Sequence, residues 1–287
     1  MTTIQPIRPS PIAGTWYSSN ANTLANQIDL FIANASLPKI DGEVVGILAP
    51  HAGYQYSGST AGYAFKAIKD QRFDLVVILS PFHAYHSASV LSSAHLQYAT
   101  PFGNVPVAQE LLELFSSSLF EKGMQFTQIA NDKEHSLEIE IPFLQRSING
   151  NFEILPLMIR HIEPDEARLI ANILYDLIRN RKVLIVISSD LSHFYSDQIA
   201  QRLDSEMLSK IASYATDDVY LTEKDGKGFA CGLGAIMVGM ELTRHLGGDE
   251  IKILSKTNSS EITGDLHSVV GYGAAAFIKK TTDQNRL

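Results

Sequence analysis

Val44-Val45-Gly46-Ile47-Leu48-Ala49, with Pro50 and His51 directly behind it, is the stretch on which the reading of the fold turns. A strand with one wet face alternates apolar and polar residues, and this one does not. Near-continuous apolar residues suit a strand covered on both faces, as in a parallel sheet. Residues 75–79 (LVVIL) and 183–187 (VLIVI) repeat the pattern, and 152–159 and 269–278 read as further strands. Stretches of helical spacing lie between them: Leu24, Ile28 and Phe31; Leu111, Leu114 and Phe115; Leu137, Ile141 and Leu144; and residues 164–178 and 231–246. The alternation predicts an α/β fold, a layered sandwich with a parallel or mixed central sheet flanked by helices. No repeat, low-complexity tract or linker divides the 287 residues, so one domain over 1–287 is expected.

Charge narrows the partners. The chain has 23 Lys and Arg against 31 Asp and Glu, a net charge of −8 that provides no basic footprint for nucleic acid or an anionic membrane. Its one cysteine, Cys231, cannot form an intramolecular disulfide, which suits a reducing compartment. Residues 1–9 lack the apolar run of an export signal, and no window reaches the roughly 20 apolar residues of a membrane span. A cytoplasmic protein is expected, with neither nucleic acid nor membrane as partner.

The histidines are placed with respect to the strands. His51 follows the first apolar run, His83 follows the second after Ser80-Pro81-Phe82, and His193 follows the third after Ser188-Ser189-Asp190-Leu191-Ser192. Parallel strands end along one edge, and open α/β folds bind ligands outside that edge. Imidazoles from three strand ends, together with Asp190, therefore converge on one side. Neutral imidazoles offer lone pairs that suit a divalent transition metal. Cys231, in Phe229-Ala230-Cys231-Gly232 ahead of a helical run, is the candidate third ligand, where a helix N-terminus would lower its thiol pKa. It could equally be a small buried hydrophobe. Glu134-His135-Ser136-Leu137-Glu138 is read as opening the helix of Leu137, Ile141 and Leu144, with His135 placed to hydrogen-bond a substrate or a metal ligand. Glu134 and Ser136 read as first-turn and capping residues. Gly53 and Gly58, flanking Tyr54-Gln55-Tyr56-Ser57, suggest a tight loop near a ligand. His86, His95, His161, His245 and His267 read as surface or packing residues.

Other chemistries lack their motifs. There is no G-x-x-x-x-G-K-[ST] loop, no G-x-S-x-G elbow, no H-E-x-x-H and no paired C-x-x-C, and Gly271-Tyr272-Gly273 lacks the third glycine of a dinucleotide fingerprint.

Six segments in one order carry a resemblance: Ala13-Gly14-Thr15-Trp16-Tyr17, Ala49-Pro50-His51-Ala52-Gly53-Tyr54, Ser80-Pro81-Phe82-His83, Glu134-His135-Ser136-Leu137-Glu138, Ser188-Ser189-Asp190 with His193, and Ala230-Cys231-Gly232. Together they resemble the Memo-like family, also called AmmeMemoRadiSam system protein B, from about residue 8 to the last strand. That family is similar in fold to the class III extradiol dioxygenases, which use non-haem Fe(II). The resemblance implies metal ligands at His51, His83 and Cys231, an acid/base role for His193, and places for Asp190 and His135 around the same pocket. The family's Gly-Pro-Ser-His-His is Ser80-Pro81-Phe82-His83-Ala84 here, so its first histidine is kept and its second is not. A thiolate where the dioxygenases have a carboxylate favours copper or zinc relative to their iron site.

The leading expectation is a metal-dependent redox or oxygenase-like enzyme holding Fe(II) or Cu and acting on an unknown small substrate. A zinc hydrolase in the same pocket is the second expectation. The third is a non-catalytic protein that binds a peptide or small anion. The name of the wider group implies a radical-SAM system protein as a partner.

Overall fold

The computed structural model describes residues 5–281. Of the N-terminal stretch read above for an export signal, residues 1–4 lie outside the described residues. The chain runs β1 (Ile7–Arg8), α1 (Ala21–Asn34), β2 (Glu43–Ala49), α2 (Tyr54–Lys66), β3 (Leu75–Ser80), β4 (Val90–Ser93), β5 (Gln97–Thr100), β6 (Gly103–Pro106) and α3 (Gln109–Glu121). It continues through β7 (Phe126–Ile129), α4 (Glu140–Ser147), β8 (Glu153–Ile159), α5 (Pro164–Ile178), β9 (Val183–Ser188), β10 (His193–Tyr195) and α6 (Asp197–Ala212). Then come α7 (Thr216–Lys224), α8 (Leu233–His245), β11 (Glu250–Asn258), α9 (Ser260–Thr263) and β12 (Val269–Lys279).

The large sheet is mixed, in the order β10-β12-β2-β9-β3-β8-β4-β7, with β11 also paired to β12. Its centre is parallel: β2 pairs β9 with Ile47 opposite Val186, β9 pairs β3 with Ile185 opposite Val77, and β3 pairs β8 with Val77 opposite Leu155. β12 and β4 join antiparallel on the two flanks. The apolar runs occupy this centre, where Ile47, Leu75–Leu79 and Leu184–Ile187 are fully buried. Helices flank the sheet, which makes the layered α/β sandwich that the alternation of runs predicts. α8 crosses β2, β9 and β3 with α5 behind it, and α2 lies against β2, β11 and β12. α5 begins at Pro164, whose missing N–H costs nothing in a first turn, and Glu163 and Glu166 close a capping box around that turn. A smaller sheet of β1, β5 and β6 abuts the large one, where Val107, just past β6, bridges Ile154 of β8. No helix among the described residues is long and apolar enough to cross a membrane.

Three sequence expectations are corrected. Glu134 and His135 do not open a helix; they lie in a loop, and α4 begins at Glu140. A helix begun at residue 135 would place Pro142 in its interior, where the ring meets the carbonyl four residues back. Starting at Glu140 leaves Pro142 in the first turn. Gly53 and Gly58 do not flank a tight loop, because α2 starts at Tyr54 and runs through Gly58. Gly58 is instead the point where α2 meets the Phe31 ring of α1. Leu114 points outward on α3, whose core side is Leu111, Leu112, Phe115 and Leu119.

Candidate metal centre

β2, β9 and β3 are adjacent and parallel, so their C-terminal ends share one edge. His51 lies two residues beyond β2, and His83 lies three beyond β3. Ser188 closes β9, with Asp190 two residues on. Cys231 comes to the same edge from the turn that precedes α8, and Glu134 and His135 come from the loop before α4. The ligating atoms of His51, His83 and Cys231 lie within 4.8 Å of one another, as do those of His83, Glu134 and His135.

Each of the two candidate imidazole ligands is held from behind. His51 is buried, and its Nδ1 sits 3.0 Å from Ser188 Oγ, which lies 2.6 Å from Glu140 Oε1 and 2.7 Å from the Ser136 carbonyl. The hydroxyl's single proton goes to one of those oxygens, so Ser188 accepts from the Nδ1–H of His51. The Nε2 lone pair then faces Cys231 Sγ, 3.1 Å away. His83 is fixed the same way: its Nδ1 donates to Glu134 Oε1 at 2.9 Å and its backbone N–H to Glu134 Oε2 at 2.7 Å. Such outer partners set the tautomer and the ring orientation of metal-binding histidines. Glu134 also accepts the N–H groups of His135 at 2.9 Å and Ser136 at 3.0 Å. Burial opposes its charge, but the bonds from His83 and from the backbone hold its carboxyl well below the ordinary range. In the same exchange, burial lowers the basicity of His83 and Glu134 more than restores it.

Cys231 Sγ accepts the Asp190 N–H at 3.3 Å beside the Ser189 hydroxyl at 3.8 Å. The lowered thiol pKa expected for a helix N-terminus is corrected. α8 starts two residues later, and burial, reinforced by the charge of Asp190, pushes the thiol well above its ordinary value. A metal ion displaces such a proton on binding, which makes affinity pH-dependent.

A cavity of about 560 Å³ opens in front of this edge, lined by Trp16, His51, His83, His135, Asp190 and His193 among others. His135 stacks between Trp16, with ring centroids 4.1 Å apart, and His83, at 4.7 Å and nearly parallel. Burial lowers its pKa to about 4. His193 donates from Nδ1 to the Leu191 carbonyl at 2.8 Å, and burial lowers its basicity, so the unprotonated Nε2 is the nitrogen left for a ligand. Asp190 accepts the His51 backbone N–H at 2.8 Å, and burial raises its pKa to about 7. The cavity thus gathers every expected site residue except Cys231, which lines two neighbouring clefts, one of about 670 Å³ with Arg160 and Lys224 and one of about 280 Å³ that His193 also lines.

Three residues with a part in the site were read otherwise or passed over in the sequence. Glu134 reads as a first-turn acid, Ser188 as part of the stretch that leads to His193, and Glu140 has no reading from the sequence. For Glu140 the sequence carries no signal, because an acid in a first turn is ordinary and its partner Ser188 lies 48 positions away.

The donor set of two imidazoles and a thiol on a parallel strand edge defines the class: a layered α/β protein with a candidate His₂Cys metal site. Comparison with known proteins agrees with the ordered motifs. The profile of the Memo-like protein family matches residues 8–276, and the chain belongs to that family. A "MEMO1 family protein" of Nitrosopumilus maritimus is 32% identical over 276 residues, covering 95% of this chain and 100% of its own. One of Thermoplasma volcanium is 32% identical over 271 residues, covering 93% and 97%. Among solved structures, an uncharacterized protein from Escherichia coli K12 aligns over 82% of this chain and 100% of its own, with a TM-score of 0.41 and 10% identity.

Proposed function

We propose that this Memo-like protein is a metal-dependent oxidoreductase that holds Fe(II) or Cu on His51, His83 and Cys231 and acts on a small molecule in the adjoining cavity. One observation carries the reading: three soft or borderline donors lie within 4.8 Å of one another, and both imidazoles have Nδ1 committed to an outer partner. The donors fit such an ion, because two neutral nitrogens and one sulfur suit iron or copper better than a hard oxygen-seeking cation. When bound, the ion supplies electron transfer and Lewis-acid polarisation.

The chain's own residues supply the remainder. His193 Nε2 accepts or returns a proton, since its Nδ1 is already committed to Leu191. Asp190, anchored by the His51 N–H, orients a polar group of the substrate. Trp16 and His135 form an aromatic wall against which a planar group packs.

Elemental analysis after anaerobic purification, with oxygen uptake measured in parallel, tests the reading. About one Fe or Cu per chain is expected, with loss of nearly all of it in both His51→Ala and Cys231→Ala. Full metal occupancy in both variants would overturn the site. Zinc at full occupancy without oxygen uptake would replace the redox reading with a hydrolytic one.

A further inference from the structure

We infer that the cavity in front of His51 and His83 selects organic cations: molecules that carry an ammonium group on an apolar or aromatic body. The inference rests on the reading of this cavity as the substrate site and adds the chemistry of what enters it.

The charge of the lining is the first observation. Among the described residues that line the cavity, Asp190 is the only formally charged one, and lysine and arginine do not occur there. The molecule places cationic side chains in other clefts. Arg160 and Lys224 line the one beside Tyr220, Arg146 the one beside Phe152, and Lys256 the one beside Asn258. An anion entering the histidine cavity gives up its hydration and finds no lysine or arginine in exchange. At longer range the chain's net charge of −8 favours the approach of cations.

The second observation is the aromatic walls. Trp16, Tyr56 and Tyr272 all line the cavity. Trp16 leads a row of rings that continues through His135 to His83. Indole and phenol faces carry negative quadrupole density and attract ammonium groups, an arrangement that recurs in aromatic cages. A carboxylate at the floor and π faces on the walls both complement one kind of ligand.

Trp16 is the chain's single tryptophan, so intrinsic fluorescence reads this cavity directly. Phenethylamine, 2-phenylethanol and phenylacetate share a ring and differ in charge, and they are titrated into the full chain after dialysis against chelator, at neutral pH and low salt. The amine is expected to perturb Trp16 emission with a Kd about tenfold or more below that of the acid, with the alcohol between them. Added salt narrows the gap. Asp190→Asn and Tyr56→Leu, each checked for native circular dichroism, should each reduce the amine-to-acid ratio several-fold. Equal or reversed affinities overturn the inference, as does a ratio unchanged in both variants or emission that no probe alters. Metal content is measured separately, so loss of the probe order with metal retained defeats this inference alone. Loss of metal binding with the order retained defeats the oxidoreductase reading alone.

Discussion

Ser188 Oγ joins His51 to Glu140 inside a fully buried chain of polar groups. Ser188→Ala removes the acceptor of the His51 Nδ1–H and leaves the Glu140 carboxyl without its hydroxyl donor. Metal affinity is expected to fall about 10–100-fold, read by titration against a competing chelator. A buried carboxylate away from the metal ligands makes the pH prediction. Asp204 accepts the Ser192 N–H at 2.9 Å, and burial raises its pKa above the ordinary 3.8. The folded state therefore binds the Asp204 proton more tightly than the unfolded state does. Its contribution to stability falls as pH rises from the unfolded value through the folded one. Asp204→Asn removes that titration, so the variant should gain on the wild type as pH rises above the ordinary carboxylate value of 3.8 in urea unfolding; a difference that does not change with pH would refute the assignment. At this scale the sequence displays His51, His83 and His193, because a histidine just after an apolar run is visible in one dimension. Glu140 and Ser188 are not visible in that way, since what distinguishes them is a partner some fifty residues distant.

Among the elements, α1 and α2 pack at a distance that glycine sets. A Cβ at Gly62 would lie 2.5 Å from the Phe31 carbonyl oxygen, whereas one at Gly58 would meet the Phe31 ring. A half-buried ring can swing aside, but a helix backbone cannot move alone. Gly62→Ala is expected to destabilise by about 1–3 kcal/mol. Gly58→Ala should cost less, and both recover up to about 1 kcal/mol of helix propensity. Urea denaturation of the two variants checks the order. Of the two glycines near His51 that suggest a ligand loop in the sequence, Gly58 serves this helix contact, whereas Gly53 precedes α2 and lines the cavity. The strands were more legible: β2, β3 and β9 coincide closely with the apolar runs, because a strand covered on both faces has no polar residues to blur it. α5 matches residues 164–178, where proline and a capping box mark its start. The start of α4 was not legible, because it depends on where the Glu134 carboxylate is drawn toward His83 as well as on Pro142.

On the scale of the whole molecule, Arg8 ties the N-terminal segment to the site loop. It is 2% exposed, pairs with Asp132 at 2.8 Å and with Glu138, and donates to the Glu134 carbonyl at 2.8 Å. Tyr17 adds a bond to Glu138 at 2.9 Å, and its neighbour Trp16 stacks on His135. The loop that carries Glu134 and His135 is thus clamped by Arg8, Trp16 and Tyr17 of the N-terminal segment. Arg8→Ala leaves two buried carboxylates without their cation and is expected to cost about 3–5 kcal/mol. Hydrogen exchange should show faster opening at residues 132–138, and metal affinity should fall with it, through His83 and its Glu134 partner. An unfolding free energy within about 0.5 kcal/mol of the wild type would remove Arg8 from this role.

Burial of β-branched and leucine runs is a local property written into composition and order, so the layered α/β architecture and the strand-end histidines follow from the sequence alone. The motif order likewise identifies the Memo-like family without coordinates. The approach of Cys231 to His51 across 180 positions, the outward partners of the two imidazoles and the lack of lysine and arginine in the described lining of the cavity arise only from tertiary packing. Each depends on which distant side chains meet in one buried place, and there burial and hydrogen bonding, rather than residue type, set how a carboxylate or a thiol behaves.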